Sequence, residues 1–252
     1  VLPFQRAYED SLLAAARPVP LPKGFFEHPL AIRVALFFSE VLHKHLPVNI
    51  LEGELIAGGQ FNTALSLCLT KREARMRAKQ AESFRSAAVD VSGLGIGNCG
   101  AVPGHLIPDY RKVLRVGLRG IVDEIRREQV SEQRWERQDV LESFAMACQA
   151  AGALAGRYAD EAARQATEAP AHRAVELREL AAICRKVPWE PAETFHEALQ
   201  SLWFMHMLVL ACESYPGAGV SFGRIDQYLW PYYAHDLAEG RLTRGQAREL
   251  LQ

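Results

Sequence analysis

Apolar side chains recur with the 3.6-residue period of an α-helix along nearly the whole chain, and prolines or capping residues close each run. From Pro29, positions Val34, Phe37, Phe38, Val41 and Leu42 follow the i, i+3, i+4, i+7, i+8 rule, and Pro47 ends the run. Thr70-Lys71-Arg72-Glu73 has the form of a capping box and opens a highly charged helix to about residue 89. Its Ala- and Arg-rich face reads as solvated, so no partner is assigned to its basic residues. Asp109 after Pro108 predicts an N-cap, with Tyr110, Val113, Leu114, Leu118, Ile121 and Ile125 lining one face of the next helix. A long helix is predicted over 132–167, with Phe144, Cys148, Ala151, Leu154 and Tyr158 facing inward. Two more are predicted over 171–186 and 191–211, punctuated by Pro188 and Pro191. Ile225, Tyr228, Leu229, Tyr232 and Tyr233 mark another, with a bend expected at Pro231. Thr243-Arg244-Gly245-Gln246 is a second capping box, and good helix formers follow it. Strand candidates are few and short: Leu55-Ile56-Ala57, 87–91 and 219–222. The fold class expected is mainly α with a few short strands, as a single region over 1–252.

Composition excludes several classes of function. Lys and Arg total 29 against 30 for Asp and Glu, so no basic excess points to a nucleic acid. No run of about 18 apolar residues exists to span a membrane. The first residues lack the basic start and apolar core of a signal peptide. Five cysteines, Cys68, Cys99, Cys148, Cys184 and Cys212, are odd in number, dispersed and free of any C-x-x-C. That pattern argues for a reducing, cytoplasmic setting and against a disulfide frame or structural zinc. The chain starts at Val1 and stops about two turns into a helix, which reads as a piece of something longer.

Two short patterns are weak. Gly95-Ile96-Gly97-Asn98-Cys99-Gly100 fits G-x-G-x-x-G, but Pro103 and Pro108 follow where a dinucleotide fold needs a helix. Gly219-Val220-Ser221-Phe222-Gly223 fits a nucleophile elbow, but the chain before it is helical and the only later histidine is His235. Metal spacing is poor. His43 and His45 fall on different helix faces, while His196 and His206 lie ten residues apart and read as surface or lightly buried. His105 differs, because Pro103 and Pro108 pin its loop just before the Asp109 cap. It can aim its ring at a pocket or pack the turn, and spacing alone leaves both open. Ser221 and Arg224, in a loop between helices, are in the same position.

Longer blocks carry a family resemblance. They are Pro103-Gly104-His105-Leu106-Ile107-Pro108-Asp109-Tyr110 with Gly117-Leu118 and Gly120-Ile121; Pro188-Trp189 with Glu197-Ala198-Leu199-Gln200-Ser201-Leu202-Trp203-Phe204; and Ser221-Phe222-Gly223-Arg224-Ile225-Asp226-Gln227-Tyr228. A weaker block is Gly53-Glu54-Leu55-Ile56-Ala57-Gly58, and the stretch over 61–98 looks short. Together they resemble the glycyl radical enzymes of the pyruvate formate-lyase-like group, nearest to the glycerol and diol dehydratase branch. The resemblance implies the N-terminal helical part of a ten-stranded α/β barrel. In such enzymes a glycyl radical oxidises a cysteine, and the resulting thiyl takes a hydrogen atom from a small polar substrate. A separate iron–sulfur, S-adenosylmethionine-dependent activase installs the radical, and the full-length protein is expected to be a homodimer. Neither the family's Gly-Cys-x-Glu-like loop nor its Arg-Val-x-Gly-Tyr-like loop occurs here, so no catalytic residue, metal or directly bound cofactor is expected in this chain. The resemblance assigns His105 and Ser221 to substrate binding, and Asp109, Arg224 and Asp226 to bracing the loops. The alternative is a non-catalytic helical binding or assembly module, or a degenerate relative without radical chemistry.

Overall fold

Local capping chemistry sets most of the helix boundaries. The computed structural model describes residues 19–59, 68–93, 106–212 and 220–252. After one 3₁₀ turn at Phe25–Glu27, the helices are α1 (Leu30–Glu40, passing into a π-turn over Val41–His45), α2 (Lys71–Gly93), α3 (Tyr110–Ser131) and α4 (Trp135–Gln165). They continue with α5 (Ala171–Lys186), α6 (Phe195–Cys212), α7 (Ile225–Ala238), which runs through Pro231, and α8 (Arg244–Leu250). Both capping boxes form: Glu73 Oε2 accepts from the Thr70 N–H at 2.7 Å, and Thr243 and Gln246 exchange the equivalent pair. Asp109 Oδ1 accepts the Lys112 N–H at 3.1 Å. Among the described residues no helix is long and apolar enough to cross a membrane.

α4 is central and packs against α1, α3 and α5. Ala151, Ala155, Ala159 and Ala162 are buried with Leu154 and Tyr158, and these small side chains let neighbouring helices approach closely. A second cluster joins Tyr110 and Leu114 of α3 to Phe195, Leu199 and Leu202 of α6 and to Leu229 of α7. α6 bridges the two, because its far end places Phe204, Met207, Leu208 and Ala211 in the first cluster.

Three expectations are corrected. No strand occurs among the described residues. The 87–91 segment continues α2, where alanine favours the helix already opened by the capping box. Residues 55–57 and 220–222 are irregular, and their backbone groups find partners other than a sheet ladder. Phe144 is 55% exposed, because α4 turns Ser143 and Ala145 inward at that level. α3 is not one continuous helix: Gly117, at φ 66° and ψ 171°, breaks it. The segment after α5 docks in that break, with the Leu118 and Arg119 N–H groups donating to the Pro188 and Trp189 carbonyls at 2.8 and 3.0 Å. The charged helix α2 is exposed over 71–83 as expected, except at Glu73, which pairs at 2.6 Å with Arg33 of α1, a side chain only 3% exposed.

Candidate active site

His105 lies outside the described residues, and the structure is described from the next residue, Leu106. The Leu106 carbonyl accepts the Ser221 N–H at 2.8 Å, so the loop before α3 and the loop before α7 are joined backbone to backbone. Gly223 has φ 65°, and a Cβ there would stand 2.7 Å from Ile107 Cγ2, so only glycine allows this approach. Ser221 is exposed, and its Oγ accepts the Gly223 N–H at 3.1 Å, which leaves its hydroxyl hydrogen free to donate elsewhere.

The three remaining candidates hold separate parts of this junction. Asp109 caps the start of α3. Arg224, the N-cap of α7, and Asp226 in its first turn form an exposed two-bond pair at 2.9 and 2.7 Å. The Arg224 guanidinium holds the Asp226 carboxyl below its ordinary range.

Behind the junction is an aromatic cluster that sequence reasoning passed over. The Tyr110 hydroxyl lies 2.8 Å from His206 Nδ1, and the His206 ring stacks on Phe222 with centroids 4.0 Å apart. His206 is therefore buried, at 7% exposure, rather than superficial. A signal was present in the sequence. A histidine inside Leu202-Trp203-Phe204-Met205-His206-Met207-Leu208 is a polar group among apolar neighbours and must find a partner.

α6 also holds the 55–58 segment. His196 Nε2 pairs with the Leu55 carbonyl at 2.7 Å. Buried Gln200 accepts from the Ala57 N–H at 2.7 Å and donates to its carbonyl at 2.8 Å. Trp203 Nε1 donates to the Gly58 carbonyl at 2.9 Å. Positions 196, 200 and 203 share one helix face, so side chains replace the neighbouring strand that 55–57 was expected to have. His43 and His45 have local partners: His43 Nδ1 meets the Ser39 carbonyl at 2.7 Å and His45 Nε2 meets Glu40 at 3.3 Å. Among the described residues no three His, Cys, Asp or Glu side chains group as a metal site would.

The segments that carried the family resemblance, dispersed over some 180 residues of sequence, thus meet around α6 and the broken α3. Residues 100–252 match the pyruvate formate lyase-like family, and the chain belongs to it. Over 154 residues it is 41% identical to the isethionate sulfite-lyase of Nitratidesulfovibrio vulgaris, a match covering 58% of this chain and 18% of that enzyme. Over 155 residues it is 36% identical to the indoleacetate decarboxylase of Tractidigestivibacter scatoligenes, covering 59% of this chain and 17% of that enzyme. The glycerol-bound B12-independent glycerol dehydratase of Clostridium butyricum superposes with a TM-score of 0.70 at 25% identity, over 96% of this chain and 36% of that one. The chain therefore spans less than a fifth of these two enzymes and just over a third of that structure.

Proposed function

We propose that this chain is the N-terminal helical part of a glycyl radical lyase or dehydratase with a ten-stranded α/β barrel. The whole protein acts on a small polar substrate by thiyl-radical hydrogen abstraction and then expels a leaving group. The observation that carries the reading is the Ser221–Leu106 backbone bond, because it joins the two loops assigned to substrate binding. The names of the similar proteins, a sulfite-lyase, a decarboxylase and a dehydratase, support a reaction that removes a group from a small molecule.

Within that scheme this chain binds and orients. His105, next to Leu106 in sequence, hydrogen-bonds a substrate hydroxyl or its equivalent. The Ser221 hydroxyl supplies a second donor, while Asp109, Arg224 and Asp226 hold the loop ends. Fixed polar groups in a pocket that excludes water orient the substrate and stabilise negative charge on the leaving group. Burial pushes the thiols of Cys68 and Cys148 up to about 11 and that of Cys184 up to about 12. The radical is installed by an iron–sulfur, S-adenosylmethionine-dependent activase, in a cytoplasmic homodimer, and it supplies the oxidising equivalent that this chain lacks.

His105→Ala in the activated protein tests the reading. Folding and glycyl radical yield, read by electron paramagnetic resonance, are expected to be unchanged. One lost hydrogen bond in a dry pocket is worth about 1–3 kcal/mol, so kcat/KM falls about tenfold to a hundredfold. His43→Ala, on an exposed helix face, is expected to change little. Equal turnover by His105→Ala and parent at equal radical content removes His105 from the site.

A further inference from the structure

His206 stands between the two loops without belonging to either. Its Nδ1 meets the hydroxyl of Tyr110, the first residue of α3, and its ring stacks on Phe222, the residue after Ser221. The Tyr110 ring lies 6.1 Å from Phe222 and 6.3 Å from Tyr228, whose hydroxyl donates to the Phe222 carbonyl at 2.8 Å. On the other side Trp203 stacks beside His206 with centroids 6.2 Å apart. Burial pushes the His206 imidazole below its ordinary range and the Tyr110 phenol up, and which of the two groups donates depends on the imidazole tautomer.

We propose that Tyr110 and His206 are a positioning pair that sets the spacing of the two substrate-facing loops, Tyr110 from the first loop and His206 through the Phe222 ring of the second. The proposal rests on the reading of those loops as substrate-facing. An apolar pair of the same shape could pack here at little cost in stability. Dispersion contacts change slowly with small displacements, whereas a 2.8 Å hydrogen bond is directional and holds a fixed distance. The backbone bond from Ser221 to Leu106 and the close approach of Gly223 to Ile107 both depend on that distance.

Amide hydrogen exchange on the full-length, unactivated protein tests this, with mass spectrometric readout on peptides containing 106–110 and 220–224. The set is parent, Tyr110→Phe, His206→Leu and His206→Gln. Tyr110→Phe keeps the ring contacts and removes the hydroxyl. Exchange in both loops is expected to accelerate about fivefold to tenfold in Tyr110→Phe and His206→Leu, with α4 and α5 unchanged. His206→Gln retains an amide oxygen that can accept from Tyr110, and it is expected to restore most of the protection. Unchanged loop exchange in Tyr110→Phe overturns the proposal. So does acceleration spread equally over all helices, or His206→Leu protecting as well as His206→Gln, because each of these describes ordinary core packing. No radical chemistry enters the measurement, so its failure leaves the His105 experiment standing, and failure of the His105 experiment leaves these exchange rates intact.

Discussion

Gly117→Ala is the sharpest perturbation of the frame that supports the loops. At φ 66° and ψ 171° the backbone occupies a region that is almost exclusive to glycine, and an alanine there costs about 1–3 kcal/mol in strain. Space is a second cost. A Cβ at this position would stand 2.3 Å from the Trp189 carbonyl oxygen and 2.6 Å from the Glu190 carbonyl carbon. Both are backbone atoms, the Trp189 carbonyl held by the Arg119 N–H and Glu190 held by its own N–H to the Lys186 carbonyl, so they cannot swing aside as a side-chain tip would. Overpacking of this kind adds about 1–3 kcal/mol, which brings the expected loss to about 2–6 kcal/mol. Two controls separate the contributions. Gly240 has φ 67° with open space around it, so Gly240→Ala carries the strain alone, about 1–2 kcal/mol. Gly156 lies within α4 with no atom near a new Cβ, so Gly156→Ala is expected to stabilise by about 0.5–1 kcal/mol. Urea unfolding followed by circular dichroism should rank the variants Gly156→Ala, parent, Gly240→Ala, Gly117→Ala in falling stability. If Gly117→Ala proved no less stable than Gly240→Ala, the 188–190 segment would not be seated in the break of α3, and the steric argument would be refuted.

Two further outcomes are expected. With pKa values raised by burial to about 11, 11 and 12, Cys68, Cys148 and Cys184 should alkylate with iodoacetamide at pH 8 at least about tenfold more slowly in the folded protein than after unfolding; equal labelling of Cys148 in both states would place it at the surface. The Arg33 guanidinium, with the Thr70 N–H and hydroxyl, holds the Glu73 carboxyl down from 4.5 to about 2, so the stability these bonds add is fully present above pH 4.5 and is lost as pH falls through about 2. Parent and Glu73→Gln should therefore differ in stability at pH 7 and converge by pH 2, and a gap independent of pH would show that the ion pair adds nothing.

Whatever a helix decides within its own first or last turn was legible in the amino-acid order. The 171–186 boundaries hold because Pro170 and Pro188 bracket them, and the caps at Thr70, Asp109 and Thr243 form because each needs a partner only three residues away. The buried set Leu118, Ala151, Leu154 and Tyr158 follows from helical period alone. Part of the candidate site was legible in the same way: Asp109 caps, and Arg224 and Asp226 pair within one turn of chain. Their closeness in sequence is the whole of their geometry.

Where the periodicity misled, a distant partner had taken over. Leu55-Ile56-Ala57 has a strand's composition, but Gln200, 143 residues away, occupies the backbone groups a neighbouring strand would use. The stripe from Tyr110 to Ile125 reads as unbroken, yet the chain opens at Gly117 because the Pro188-Trp189 backbone fills the gap and satisfies the freed N–H groups. His206 looked like an isolated histidine until Tyr110, 96 residues earlier, came within 2.8 Å. The sequence by itself determined the capped helix starts, most of the inward faces and the family, since each rests on short-range capping, side-chain period or long matching blocks. Only the tertiary structure decided that the loop after His105 and the loop of Ser221 share a backbone bond, and which buried polar groups pair behind it. A hydrogen bond or a Cβ clash is settled within a few tenths of an ångström, and no spacing along the chain encodes the distance between residues about a hundred positions apart.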